Sequence, residues 1–308
     1  MSRSQRATIL AAGIAALLCA PLQLNAWGDH GHRLIGLTAA QALPNDMPAF
    51  FRRSAQQLSY LNPEPDRWKS RDESRQDYAL NGGTSPDHFM NMDLLTSAQQ
   101  QTMLAAPDRM AFADSVRAAG FAPGTMGFLP FTVLEYAQKL RNDFRLWRIA
   151  PDSTVRSWIE QRIIEDAGIL GHFVADGSNP HHTTKHYNGW VGDNPKGYPT
   201  DNRFHSRFES QFVQAHIKEA DVRGAMTHAP QVFPNLRSAI IAFLQTSNAQ
   251  LEPLYELDKQ KPFQPETTTP EQKAFAVARL SAGAEMLRDI WYTAWMTSAP
   301  TAGGAPRD

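Results

Sequence analysis

Residues 152–182 read DSTVRSWIEQRIIEDAGILGHFVADGSNPHH, and this stretch decides the fold class. Asp152 is a good N-cap, since its side-chain oxygen can accept a first-turn amide. Behind it Val155, Ile159, Ile163, Leu170 and Phe173 recur at helical spacing, which predicts one long helix through Asp176. His172 and Asp176 stand four residues apart, so their side chains point the same way one turn apart. A histidine and a carboxylate so placed form a two-ligand clamp for zinc, which accepts imidazole nitrogen and carboxylate oxygen. Taken alone, such a pair is more often a surface hydrogen bond or ion pair.

The flanking chain carries the same helical character. "HRLIGLTAAQAL" (His32–Leu43) and "MPAFFRRSAQQLSYL" (Met47–Leu61) predict two short amphipathic helices, followed by a polar loop from Asn62 to Asp87. "PFTVLEYAQKLRNDFRLWRIA" opens with Pro130 in a first-turn position. "PNLRSAIIAFLQTSNAQLEPLYEL" (Pro234–Leu257) and "EQKAFAVARLSAGAEMLRDIWYTAWM" (Glu271–Met296) predict two long helices that serve as scaffold. No run alternates as a strand would, so the expectation is an all-α, single multi-helix domain over residues 27–298. Its longest loop, Gly177 to Arg203, holds His181, His182 and His186, and a loop of that length in a compact domain points to function.

The ends read differently. Arg3 and Arg6 precede an apolar run, Ala7 to Ala20, then helix-breaking Pro21 and a small residue, Ala26. Residues 1–26 therefore have the anatomy of a secretory signal peptide, with an apolar run too short to span a bilayer, and the protein is expected to be exported, periplasmic or secreted. Residues 299–308 read as a disordered tail. Cys19 is the only cysteine and lies in the leader, so the remaining chain has no disulfide and depends on its core, on metal, or on both. Taking Arg3 and Arg6 from 30 basic residues leaves 28 against 31 acidic ones, a net charge of −3. No basic field covers the molecule, no further stretch is apolar enough to cross a membrane, and no protein partner is indicated.

A second His-x-x-x-carboxylate pair, His205 and Glu209, sits in "HSRFE", and two such pairs around a His-rich loop favour metal. Upstream stand Trp27 and His32 in "LNAWGDHGH", Asp66 in "NPEPDRW" and His88 in "DHFMNMD". Singly, Asp66 is more often a turn residue and His88 a partly buried core histidine. Together these residues resemble the superfamily of bacterial zinc-dependent phospholipases C and fungal and plant single-strand-specific zinc nucleases. Members begin their mature chain with Trp, whose amine and carbonyl bind zinc; cleavage after Ala26 would make that residue Trp27. The family's His-Phe-x-x-Asp, with a further His ten residues after the first, is matched by His172, Phe173, Asp176 and His182. The resemblance runs from Trp27 to about Glu209.

The resemblance implies three zinc ions in a cleft. Asp66, His88, His172 and Asp176 would hold one; Asp176 would bridge to a second completed by Trp27 and His32; His182, His205 and Glu209 would hold the third. Zinc lowers the pKa of bound water and supplies a nucleophile for phosphate esters at neutral pH. By analogy Asp66 is the catalytic residue that orients or deprotonates that water. The substrate is single-stranded nucleic acid or phospholipid. Glu209 resembles the phospholipase branch, whereas the Trp27–His32 interval and the 23-residue step from His182 to His205 resemble the nuclease branch. His181 stands where the family commonly has Leu and competes with His182 as ligand, and "TTKHYNGW" replaces a nuclease-type Gly-Gly-Asn stretch. A non-catalytic, zinc-stabilised binding protein is the alternative of another class. Of the remaining histidines, His216 and His228 read as surface residues, while His30 and His186 are candidates to support ligands or touch substrate. Trp190, Tyr187 and Phe204 are weaker candidates to stack a base or line a lipid groove.

Overall fold

The computed structural model describes residues 27–299, so the proposed leader and nearly all of the proposed tail lie outside it. Seven helices organise the described chain: α1 (Gly28–Gln41), α2 (Ala55–Leu61), α3 (Leu129–Arg148), α4 (Ser153–Ser178), α5 (Leu236–Asn248), α6 (Leu251–Gln260) and α7 (Pro270–Met296). Further helices, Ser97–Met103 and Arg109–Ala118 among them, and short helical turns connect them. Among the described residues the only β feature is an isolated bridge between Tyr187 and Gly189, so the domain is all-α.

The helix of residues 152–182 forms as the N-cap predicts: the Asp152 carboxylate accepts the Val155 amide at 2.8 Å. α4 is not amphipathic at its far end. Every residue from Ala167 to Ser178 is buried, because α1, α2, α3 and α7 pack around it. Two glycines allow that enclosure. A Cβ on Gly168 would lie 2.4 Å from Leu61 Cβ, and one on Gly171 would lie 2.3 Å from Asn62 Nδ2. The end of α2 therefore rides directly on the α4 backbone, which delivers Asn62 beside His172. α7 closes the other side, started by a capping box between Thr269 and Gln272.

Three sequence expectations need correction. The segment 62–87 is not an open loop; it holds the short helices Glu64–Arg67, Arg71–Gln76 and Ala79–Thr84 and enters a 3₁₀ turn, Ser85–His88. The predicted helix 234–257 is two helices, because Pro253 has no N–H to offer the Ala249 carbonyl and the chain restarts at Leu251. The predicted helix 47–61 is likewise divided at Ser54, whose hydroxyl bonds the Phe50 carbonyl at 2.9 Å and competes with the backbone ladder.

Candidate metal centre

α4 is the backbone of the site. Its buried end carries His172 and Asp176, and the 3₁₀ turn Pro180–Thr183 that follows carries His181 and His182. Asn179 caps that turn, accepting the His181 amide at 3.1 Å, and its side-chain nitrogen donates to Glu209 Oε2 at 3.2 Å. α1 contributes His32, the short helix Glu64–Arg67 contributes Asp66, and the 3₁₀ turn Ser85–His88 contributes His88. His205 and Glu209 come from a helix over residues 204–216 that contains a π turn, Arg207–Phe212. Such widened turns interrupt regular helices most often where side chains are aimed at a site.

All nine sequence-predicted residues meet at the buried end of α4. His32 Nε2 lies 3.5 Å from Asp176 Oδ1, and His88 Nδ1 and His172 Nε2 lie 3.0 and 3.2 Å from Asp176 Oδ2. Asp66 Oδ1 is 3.9 Å from both His88 Nδ1 and His172 Nε2. Next to these, His205 Nε2 is 2.5 Å from Glu209 Oε2 and 3.2 Å from His182 Nε2. Trp27 is fully buried, with its backbone nitrogen 3.1 Å from Glu209 Oε2 and its indole N–H donating to the Ala175 carbonyl at 2.7 Å. Three groups could each hold a metal ion: His32, His172 and Asp176; Asp66, His88 and His172; and His182, His205 and Glu209. His172 is shared between the first two.

Hydrogen bonding fixes which nitrogens are available. His172 Nδ1 faces the Asn62 carbonyl at 2.9 Å, His182 Nδ1 faces the His88 carbonyl at 2.6 Å, and His32 Nδ1 faces Asn62 Oδ1 at 3.0 Å. An oxygen opposite a ring nitrogen requires that nitrogen to carry the hydrogen. The three Nε2 atoms are then bare lone pairs turned toward carboxylates or another imidazole. His32 Nε2 and Asp176 Oδ1 are buried with no hydrogen-bond partner, as is Asp66 Oδ2. Lone pairs facing lone pairs need cations between them.

On the imidazoles, protons are poor candidates for that role. Burial lowers His32 to about 3 and His88 and His205 to about 4, so these rings stay neutral and able to bind metal at neutral pH. Burial pushes Glu209 up to about 8. Burial is the largest influence on Asp66 and acts to raise it, but Lys69 with His172, His88 and His32 together outweigh it and hold the carboxyl below its usual range; His182, His172 and His88 do the same for Asp176. The donor set of imidazoles and carboxylates, with fixed tautomers and unpaired atoms, fits metal.

The centre opens on one side into a cleft of about 450 Å³. His88, His181, His182 and His205 reach it, and Lys69, Ser85, Phe89, Asn91, Thr184 and Tyr187 line its walls. Lys69 Nζ is 2.5 Å from Asp66 Oδ1. Sequence reading missed Lys69, although its i, i+3 spacing from Asp66 was a usable signal, and missed Asn62, Phe89 and Asn179.

The competing histidines separate here. His182 belongs to the third group, while His181 packs edge-on against Phe204, Phe208 and Tyr255 at 4.7, 5.7 and 6.3 Å between ring centroids. His30 Nε2 bonds the Ile217 carbonyl and His216 Nε2 the Gln264 carbonyl, each at 3.0 Å, and His228 faces Glu285 and Asp289. His186 stacks on Trp190 at 4.0 Å. Phe204 is fully buried and is core rather than a stacking platform; Tyr187, 51 % exposed, is the aromatic at the cleft mouth.

No protein-family model and no curated protein matches the chain. Among solved structures it is similar to the alpha toxin of Clostridium absonum, with a TM-score of 0.45, 11% identity, and coverage of 90% of this chain and 66% of that one. It is also similar to an alpha-toxin of Clostridium perfringens from avian strain SWCP, with a TM-score of 0.39, 12% identity, and coverage of 93% and 68%. The chain thus spans about two thirds of the length of the toxins it matches. Among the described residues no helix is long and apolar enough to cross a membrane.

Proposed function

We propose that this protein is a zinc-dependent hydrolase of phosphate esters, holding three zinc ions and acting on single-stranded nucleic acid or nucleotides. The observation that carries the reading is the set of bare imidazole nitrogens turned on buried Asp176 and Glu209, in a cluster whose His88, His182 and His205 reach an open cleft. Trp27, His32, Asp66, His88, His172, Asp176, His182, His205 and Glu209 would hold the ions. Zinc suits them because it takes imidazole nitrogen and carboxylate oxygen donors. Bound there, it supplies Lewis-acid charge for a phosphoryl oxygen and acidifies water.

The protein's own residues do the rest. Asp66, 6% exposed behind Lys69 and His88 of the cleft wall and kept ionised by Lys69 and the neighbouring imidazoles, would orient the attacking water and accept its proton. Lys69 offers its ammonium to a non-bridging phosphate oxygen. Phe89 and Tyr187 supply flat apolar walls that accept a nucleobase. No serine or cysteine nucleophile is required. The Trp27–His32 and His182–His205 intervals favour the nuclease branch, and processing before Trp27 would delay metal loading until export.

Glu209 and the absence of a basic field favour a second reading, a phospholipase C acting on phospholipid headgroups. A zinc-loaded preparation beginning at Trp27, assayed beside a chelated control, separates the two: DNA cleavage alone establishes the nuclease, headgroup release from phosphatidylcholine alone the phospholipase. Asp66→Asn should lower whichever activity is found at least ~100-fold, the size expected for losing a general base. Zinc binding with no hydrolysis of either substrate would favour the binding-protein alternative.

A further inference from the structure

Asn62 closes α2 and is completely buried between α1 and α4. It meets two of the proposed ligands at once. Its side-chain Oδ1 lies 3.0 Å from His32 Nδ1, and its backbone carbonyl lies 2.9 Å from His172 Nδ1. The two rings stack with centroids 4.0 Å apart and 11° between planes, and their Nε2 atoms face opposite oxygens of Asp176. We propose that Asn62 is a positioning residue that locks His32 and His172 in the same tautomer and orientation, so that both lone pairs address metal at Asp176. The inference rests on the zinc reading.

A purely structural role fits the geometry less well. The Asn62 side-chain nitrogen is buried with no hydrogen-bond partner, so only the acceptor half of the amide is used. The slot is also cut to the amide: a Cβ at Gly36 or Gly171 would lie 2.9 or 2.3 Å from that nitrogen. Groups that hold the far nitrogen of a metal-bound histidine set its tautomer and basicity, and losing one typically weakens metal binding about 10–100-fold.

The two contacts differ in a way that makes the role testable. Substitution removes the side-chain acceptor for His32 and leaves the backbone acceptor for His172. Asn62→Leu should therefore weaken one zinc about 10–100-fold and leave two at wild-type affinity. Asn62→Asp keeps an acceptor and should retain three. The readout is zinc per chain, by elemental analysis of the full processed protein after dialysis against graded chelator. Three equally tight ions in Asn62→Leu, loss of all three together, or loss of the third in Asn62→Asp would each overturn the inference. Wild-type protein that binds no zinc would overturn the metal reading itself. Should Asn62→Leu fail to fold, nitrogen-15 spectra of the chelated wild type decide: His32 and His172 protonated at Nδ1 support the role, and protonation at Nε2 overturns it.

Discussion

Chelated protein should be markedly less stable at pH 5 than at pH 7, and the size of the difference follows from the buried site. His32, His88 and His205 are held at about 3, 4 and 4 when folded, against 6.5 for a free imidazole. Below pH 6.5 the unfolded chain therefore binds more protons at these positions, so stability falls as pH drops from 6.5 toward the folded values. At pH 5 each ring is about 1.5 units below its unfolded pKa, a loss of ~2 kcal/mol apiece and ~6 kcal/mol together. Glu209 acts in the opposite direction. Its folded value of about 8 lies above the 4.5 of a free carboxyl, so its contribution is full below 4.5 and lost as pH rises through 8. Moving from pH 7 to pH 5 restores ~3 kcal/mol at Glu209, leaving a net loss of ~3 kcal/mol from these four groups, to which buried His181, also held well below its usual range, adds. For a chain of this size that lowers the melting temperature by about 6–12 °C. Calorimetric melts of chelated protein at the two pH values measure it directly. Glu209→Gln sharpens the test: removing the opposing carboxyl should raise stability at pH 7 and roughly double the loss on acidification. An equal or higher melting temperature at pH 5 would show that the histidines are not buried neutral bases, and the electrostatic case for metal would fail with it.

Zinc binding at pH 7 should release about one more proton per chain from the wild type than from Glu209→Gln, because a carboxyl with a folded pKa of about 8 must ionise to become a ligand. Titration calorimetry in two buffers of different ionisation enthalpy counts it, and no difference would contradict the raised Glu209. Gly168→Ala must drive Leu61 off α4, at an overpacking cost of about 1–3 kcal/mol offset by about 1 kcal/mol of helix propensity, so the melting temperature should fall by a few degrees. Gly83→Ala, with nothing within 4 Å of the added carbon, should instead stabilise by up to about 1 kcal/mol. One extra residue before Trp27 turns the proposed amine ligand into an amide and should lower zinc content relative to protein starting at Trp27; equal content in the two would remove Trp27 from the ligand set.

The sequence made the fold class plain where helices are long and capped. Asp152 and Pro130 mark starts that local chemistry dictates, and α4 and α3 begin within a residue of them. The segment 62–87 was opaque because helices of four to six residues have too few turns for periodicity and exist through packing rather than propensity. Of the proposed ligands, His172 with Asp176 and His205 with Glu209 were readable because i, i+4 spacing survives folding as a shared direction; the other five rested on the family resemblance. Their allocation to ions was less so: only coordinates show His172 shared between two groups and the Trp27 nitrogen against Glu209. Asn62 carried no signal at all. An asparagine before proline reads as a turn, and its contacts reach 30 residues back to His32 and 110 forward to His172.

The centre is unevenly buried, and the unevenness bears on whether it does chemistry. Structural zinc sites are closed on all sides, whereas catalytic ones keep a position open to water and substrate. His32, His172 and Asp176 are wholly enclosed, and Asn62 fixes the outer nitrogens of both rings. That half has no room for a substrate and every means of setting geometry. His205 retains 15% of its side-chain exposure and His182 retains 7%, and with Glu209 they offer three side-chain donors beside the cleft, one short of a closed four-coordinate shell. A scaffold that used zinc only for stability would gain nothing from a three-donor group beside Lys69 and two aromatic walls, Phe89 and half-exposed Tyr187. Asp66, between the enclosed half and the open one, is placed to couple the rigidity of the first to the reaction in the second.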